Sequence, residues 1–599
     1  MTNTALQSPP PDLADATAEQ LAQAWLDGLA GVVASRSIAD GRELFAETAT
    51  WRDFMALDWD FSHRIGRDAL VPWLIDLMAT AHASQFAVNH EVPPEFGEGG
   101  VDAFFDFRTT DRVVRGYVHL VVEDGRPVAE RVQSQLLALA DHPERIGHRR
   151  PDGKVYDVVM DRTRWSDDRR RQAAFEDEEP AVVVLGAGHN GLAIAARLGA
   201  LSVPTLVIER EARVGDTWRK RYASLALHST VWGDHLPYLP LPPTWTAHTP
   251  KDKWADFLES YATLLDLNVW TGTTFREASY DDEAQVWTVR VERADGTTAE
   301  LHPRHFVVAG GMFGDPKIPA VPGLESFQGR AVHSDSFQDA AEYSGRNVLV
   351  VGAGVSGHEL AQDLYEHGAD VTMLQRSSTY VVSFEAYHKL WNSLFTEDAT
   401  RPPEFLDQIA YALPFEGPGD DLQRELVKLG AEHDRELLDR LAAAGFKLQW
   451  GPDGTGIIGA HMSGVDSYQI DIGASSLIAD GRVHLKQGVE ISRVQGDTVV
   501  FSDGSELAVD LIVFATGYHQ FWGHIAPMLG DAAAKVDHAY GRAADGEYLN
   551  TWRRSAQPGL WFGTGFIRIA RYYSAFMAML IKAIEVGIEP IDPDRPGRV

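Results

Sequence analysis

Apolar positions recur along the chain in three successive rhythms. Between residues 17 and 145, helical spacing over Ala18 to Val33 and again near Asp68 to His82 gives way to two-residue alternation in VDAFFDFRTT, VVRGYVHLVVED and PVAERVQSQLLAL. Helices first and a strand meander afterwards predict a small α+β unit. Over residues 146–180 the rhythm is lost, and the charged run RTRWSDDRRRQAAFEDEEP predicts a solvated linker. From Ala181 onward, short β-branched runs alternate with Gly-rich turns and Ala-rich helices. AVVVLGAGHNGLAIAARLGALSVPTLVIE reads as strand, turn, helix, strand, and NVLVVGAGVSGHELAQDLYEHGADVTMLQRSS repeats that plan 166 residues later. The repeat is an internal duplication of βαβ units. A further stretch, about 385–460, carries helical spacing and predicts a helical insertion.

The two Gly-rich turns supply the candidate chemistry. Gly186, Gly188 and Gly191 stand in G-x-G-x-x-G spacing, the first for a tight turn, the second for close approach of a pyrophosphate, the third for helix–strand packing. The pyrophosphate would meet the N-terminus of the helix beginning near Asn190, where free N–H groups favour an anion. Glu209 ends the next strand, 23 residues after Gly186, and can accept hydrogen bonds from ribose hydroxyls. Gly352, Gly354 and Gly357 repeat the spacing, but Arg376, Ser377 and Ser378 follow the second strand there and no carboxylate does. An acid would repel a 2′-phosphate whereas Arg376 and two hydroxyls suit one, so the second site is read for NADPH and the first for FAD. The fold class is α/β, with two Rossmann-like dinucleotide-binding domains preceded by the α+β unit. The expected divisions are 17–145, the linker 146–180, 181–344 and 506–599 for FAD, and 345–505 with its insertion for NADPH.

Composition narrows the chemistry. The chain has 599 residues and no cysteine, which removes disulfide, thiolate and Cys-metal chemistry, including that of disulfide reductases built on the same two-site plan. Asp and Glu number 86 against 54 Lys and Arg, and the net charge of −32 argues against nucleic acid or an anionic membrane surface as partner. The N-terminal tip is polar and Pro-rich, with no secretory pattern, and apolar runs are broken too early for a membrane span. The expectation is a cytoplasmic protein, with a homo-oligomer left open.

Between the two turns, Phe327, Gly329, His333 and Phe337 form F-x-G-x-x-x-H-x-x-x-F, which resembles the fingerprint of flavin-containing monooxygenases. Phe514 to Tyr518, with Gly517, resembles that family's A-T-G-Y segment, and GDTWRKRY, with Trp218, the segment running under the flavin. YASLALHS, IDIGASSLI and YYSAFMAMLIKAIEVG are similar to the YUCCA branch and its microbial relatives. The resemblance implies reduction of FAD by NADPH, capture of O₂ as a C(4a)-hydroperoxide, and transfer of one oxygen atom to a small molecule such as an amine, a sulfide, or the carbonyl of an α-keto acid. His228 stands where many members place an Asn near the flavin, so His228 and His333 are the candidate catalytic residues. A Baeyer–Villiger monooxygenase and a non-oxygenating flavoprotein with a ligand-binding N-terminal unit are the alternatives.

The 17–145 stretch resembles the ketosteroid-isomerase-like cone fold. Asp53, His63 and His119 are its candidate polar pocket residues, but they form no clustered acid–base set and no catalysis is assigned to them. The expectation is a separable unit that shapes assembly or substrate access and whose deletion leaves FAD binding intact.

Overall fold

A computed structural model describes residues 17–97, 99–153, 156–463 and 467–591; the polar N-terminal tip lies outside the described residues. The first helix, Ala18–Ser35, opens on a capping box in which Thr17 and Gln20 exchange side-chain-to-backbone hydrogen bonds. With the helices Ile38–Arg42 and Arg67–Thr80 it covers one face of a seven-stranded sheet. That sheet pairs antiparallel throughout except where Phe45–Phe54 runs parallel to Arg126–Leu139. Trp25, Phe45, Trp51 and Phe105 pack in edge or tilted contacts and fill the interior between helices and sheet, where a ligand cup would open.

Two five-stranded parallel sheets follow. The first runs, in spatial order, Asn268–Trp270, Thr205–Ile208, Val182–Leu185, His305–Val308 and Leu560–Phe562. The second runs Arg330–His333, Leu511–Phe514, Asn347–Val351, Asp370–Gln375 and His484–Gln487. Their inner strands are near-continuous apolar runs because both faces of a parallel sheet are buried there, whereas edge strands such as Arg330–His333 and His484–Gln487 are more polar. The duplication reaches beyond the βαβ motif. Each unit carries a three-stranded antiparallel meander, 273–301 and 491–508, just before the strand that pairs with its central one. The division expected from sequence shifts here: Arg330–His333 and Leu511–Phe514 belong to the second sheet, although they fall in 181–344 and 506–599. Strand pairing sets the border, and the Gly-rich motif marks only the first βαβ of each unit.

The stretch 385–460 folds as helices Phe384–Trp391, Pro403–Ala410, Pro418–His433 and Arg435–Ala443. In the charged stretch 146–180, helix Trp165–Ala174 docks on the first unit: Arg169 donates to Asp266 O and Asn268 Oδ1, and Trp270 Nε1 donates to Ala173 O. Among the described residues, no helix is long and apolar enough to cross a membrane.

The N-terminal unit is not separable. The outer face of its sheet presents Phe54, Phe61 and Leu136 to Tyr572, Tyr573 and Phe576 of the helix Ile567–Glu585, in one shared core. Arg52, fully buried, makes a two-pronged pair with Glu547 at 2.9 and 2.6 Å and donates to the carbonyls of Tyr411 and Leu413. His63 Nδ1 lies 3.1 Å from the same Glu547. The Arg52 guanidinium and His63 overcome the cost of burial and hold the Glu547 carboxyl down at about 2. That face is therefore occupied within the chain, which closes it to assembly. The expected polar pocket also dissolves: Asp53 caps the turn at Ala56 and Leu57 and takes a 2.5 Å hydrogen bond from Ser134, while His119 pairs with Asp102 at 2.9 Å.

Two predictions follow from this interface. Arg52→Met leaves Glu547 buried without its main partner and is expected to cost about 3–5 kcal/mol, read by urea unfolding, whereas Arg52→Met with Glu547→Leu recovers a large part. A double variant no more stable than the single one contradicts the pairing. The second concerns pH. Burial pushes the Asp53 carboxyl up to about 7, so its favourable contribution is complete below the unfolded value near 3.8 and is lost as pH rises through about 7. Asp53→Asn should flatten the fall in thermal stability across that window; an unchanged pH profile would show that Asp53 does not carry it.

Candidate active site: two nucleotide cradles and their crossing

In the first turn the three glycines serve three different needs. Gly186 has φ +103°, and a Cβ there would sit 2.7 Å from Ala309 O. A Cβ on Gly191 would lie 1.9 Å from Gly186 O, so helix and strand can approach only without it. Gly188 differs: its backbone is ordinary extended, with φ −76° and ψ −179°, and a Cβ there would meet nothing within 4 Å. Neither strain nor a protein neighbour asks for glycine at 188, which fits a cradle kept clear for a pyrophosphate. The helix His189–Ala200 starts at this point without a side-chain cap. Asn190 Oδ1, buried at this helix start, has no partner, while its Nδ2 and His189 Nε2 reach Gly565 O at 3.2 and 2.8 Å. Glu209 Oε2 accepts from Ala187 N at 2.8 Å and Oε1 from Glu211 N, fixing the turn and leaving lone pairs for a ribose. Trp218 stands 6.5 Å, ring to ring, from His189. These features fit FAD.

The second turn repeats the logic. Gly352 has φ +118°, and a Cβ on Gly357 would lie 2.1 Å from Gly352 O. A Cβ on Gly354 would meet Ser467 Oγ at 3.1 Å, and the helix Val355–Glu366 is again uncapped. Arg376 and Ser377 are exposed just beyond Asp370–Gln375, at the carboxyl edge where a parallel sheet takes its ligand.

His333 ends the strand Arg330–His333 and spends both ring nitrogens on backbone. Nδ1 accepts from Asp335 N at 3.1 Å, and Nε2–H donates to Gly517 O at 2.9 Å. Burial lowers its pKa against the pull of that carbonyl, so the ring is neutral and pins A-T-G-Y to the crossing between the two units. Beside it, Arg221 donates to Asp335 at 2.9 Å and to Tyr518 OH at 2.7 Å, and Tyr518 OH donates to Asp335 at 3.0 Å. This triangle ties GDTWRKRY, the crossing and A-T-G-Y together; sequence reasoning quoted all three segments without seeing that they meet. Gly329 admits a close approach of chains, since a Cβ there would lie 2.3 Å from Asp510 O.

His228 stands against the second nucleotide unit. Its Nε2 lies 2.7 Å from Glu359 Oε1, on the helix of the second turn, and Tyr222 OH donates to Glu359 Oε2 at 2.5 Å. Around it gather His248, Phe384 and His388, with ring centroids 4.2–5.4 Å apart. Burial and the neighbouring His248 push His388 down to about 4. No pattern in the sequence marked these residues, because they come from a loop and from the insertion.

Two cradles joined by a fixed crossing define a flavoprotein oxidoreductase of the two-dinucleotide type, and the comparisons with known proteins agree. Residues 183–390 match the family described as pyridine nucleotide-disulphide oxidoreductase, although a chain with no cysteine cannot perform the disulphide reaction in that description. Indole-3-pyruvate monooxygenase YUCCA1 of Oryza sativa subsp. japonica is 31% identical over 361 residues, 59% of this chain and 80% of that protein. The probable indole-3-pyruvate monooxygenase YUCCA10 of Arabidopsis thaliana is 30% identical over 342 residues, 57% and 82% of the two chains. Among solved structures, a flavin-containing monooxygenase from Stenotrophomonas maltophilia is 19% identical, with TM-score 0.43 over 67% of this chain and 98% of that one. A cyclohexanone monooxygenase is 17% identical, with TM-score 0.49 over 68% and 88%. The chain belongs to the flavin-containing monooxygenase family, on its YUCCA-like side, and is an FAD-containing, NADPH-dependent monooxygenase.

Gly188→Val is expected to keep the fold, since its Cβ meets open space, and to lose most bound FAD, read as the ratio of flavin to protein absorbance after gel filtration. Full FAD occupancy in that variant would move the pyrophosphate elsewhere.

Proposed function

We propose that this monooxygenase acts on a small 2-oxo acid with an aromatic or other apolar side chain, oxygenating its carbonyl with loss of CO₂. Arg568 carries the reading. It sits on the first turn of Ile567–Glu585, three residues after Gly565, which Asn190 and His189 clasp. Its guanidinium lies 4.5 Å from the centre of the Phe395 ring and donates to Asn392 Oδ1 at 3.4 Å. Among the described residues no carboxylate is within ion-pair distance of it, and the buried Asp234 acts on it only at longer range. Its neighbour Arg571, by contrast, is paired with Asp407 at 2.7 Å. A half-buried cation beside apolar rings suits a carboxylate carried on an apolar body. The two plant relatives above, named for indole-3-pyruvate, bear the same substrate class.

The residues then divide as follows. Gly186, Gly188, Asn190, Gly191, Glu209 and Trp218 hold FAD, and Gly352, Gly354, Gly357, Arg376 and Ser377 hold NADPH. Bound FAD, reduced by NADPH, supplies activated oxygen. His333, Gly517 and the Arg221–Asp335–Tyr518 triangle position the crossing and keep it closed to water. His228 stands with Nε2 2.7 Å from Glu359 Oε1 and is placed to orient the second cradle toward the crossing. One 2-oxo acid, O₂, NADPH and a proton give the shortened carboxylic acid, CO₂, water and NADP⁺. A cytoplasmic setting fits a cysteine-free, NADPH-using chain.

Incubation with NADPH, O₂ and a panel of 2-oxo acids, ketones, amines and sulfides tests the reading by product analysis. Arg568→Ala should raise KM for 2-oxo acids by about ten- to a hundredfold and leave neutral ketones unaffected. Oxygenation of amines or sulfides alone, or an unchanged KM, rules this substrate class out; lactones or esters from ketones establish the Baeyer–Villiger alternative.

A further inference from the structure

At the carboxyl edge of the second sheet, two basic residues have no carboxylate partner among the described residues. One is Arg376. The other, Lys447, comes from the far end of the helical insertion, 71 positions later in the chain. Its backbone is locked to the strand end. Gln375 Nε2 donates to Lys447 O at 2.9 Å, Lys447 N donates to Gln375 Oε1 at 2.8 Å, and Thr379 N donates to Lys447 O at 3.0 Å. The side chain then reaches the neighbouring strand end: Gln487, with its amide oxygen toward the ammonium, accepts from Lys447 Nζ at 2.7 Å and from Gly488 N at 3.1 Å. Gln375 and Gln487 are paired residues at the ends of adjacent parallel strands. Lys447 is thus held over the gap between the second and third strands of the nucleotide unit, beside the residue that follows Gln375.

Lys486, on the neighbouring strand, is neutralised by Asp503 at 3.1 Å. Acidic side chains outnumber basic ones by 86 to 54 in this chain, so two exposed cations without an acid among the described residues, at one strand end, suit an anion from outside. In a βαβ unit of this order the adenosine ribose lies at the end of the second strand, near Gln375 and Arg376.

We infer that Lys447 and Arg376 together clamp the 2′-phosphate of NADPH, so that the helical insertion itself sets the preference for NADPH over NADH. Arg376 supplies the planar fork from the strand end, and Lys447 a point charge from the other side of the phosphate. The inference rests on assigning the second Gly-rich turn to NADPH.

Binding measured on the FAD-loaded enzyme tests it without turnover. Calorimetric titration with NADP⁺, NAD⁺, 2′,5′-ADP and 5′-AMP is compared for wild type, Lys447→Ala, Lys447→Arg and Arg376→Ala. Lys447→Ala is expected to weaken NADP⁺ and 2′,5′-ADP by about ten- to a hundredfold, to leave NAD⁺ and 5′-AMP unchanged, and to be largely rescued by Lys447→Arg. Equal weakening of phosphorylated and unphosphorylated ligands would reveal a merely structural role and overturn the inference. An unchanged NADP⁺ affinity in Lys447→Ala, with loss in Arg376→Ala, would also overturn it while keeping the site. Loss in neither variant would remove the NADPH assignment of this edge as well.

Discussion

The helix Ile567–Glu585 is apolar around nearly its whole circumference, with fifteen of its nineteen residues buried, and such a helix is stable only where every side is covered. One side packs on His189–Ala200, the helix that opens the first nucleotide cradle. Another meets the outer face of the N-terminal sheet, where Tyr572 OH donates to Gln135 and accepts from Gln133. A third is tied to the insertion through Arg571 and Asp407, and Arg571 also holds the carbonyls of Gly233 and His235. The helix therefore fixes the positions of the FAD cradle, the N-terminal unit, the insertion and the loop bearing His228 relative to one another. Its own first turn carries Arg568, so the element that organises packing also presents a cation near the cofactor.

That arrangement explains why a unit with no clustered acid–base set of its own is retained. The N-terminal sheet supplies surface: Phe54 and Phe61 cover the aromatic side of the closing helix, and Arg52 finishes its polar edge against Glu547. Arg115 and Gln133 then reach Gln408 on the insertion helix Pro403–Ala410. A buried polar network of this kind is costly unless every member is satisfied, and here its main members are, which gives the contact a single register. The insertion is thereby held from two sides, by the sheet and by the closing helix, and its far ends reach Arg568, through Asn392 and Phe395, and the strand end before Arg376, through Lys447.

Within the nucleotide units, orientation comes from hydrogen bonds between segments distant in sequence. Arg221, Asp335 and Tyr518 lie on three different stretches, and His333 ties the stretch of Asp335 to that of Tyr518 a second time through Gly517. Each group spends its bonding capacity on the others or on backbone, so the crossing has one geometry. Work on a reactive oxygen species needs that rigidity more than it needs an acid or base, because a loose crossing would admit water.

The residues by themselves determined the α/β class, the duplicated βαβ units and the two glycine cradles, because these show in local periodicity and in short glycine spacings. The absence of cysteine removed disulfide chemistry outright. Even the helical character of 385–460 was legible, since helical spacing is local. The sequence left the N-terminal unit looking detachable and the sheet border misplaced at 330–333 and 511–514, because strand pairing and the burial of an outer sheet face are decided by partners hundreds of residues away. His228 was singled out from the family's pattern, and only the folded chain shows its contact with Glu359. Tertiary structure alone decided which charges are neutralised: Arg52, Arg553 and Arg571 find acids in the core, whereas Arg376, Lys447 and Arg568 find none among the described residues, and no spacing along the chain encodes that difference.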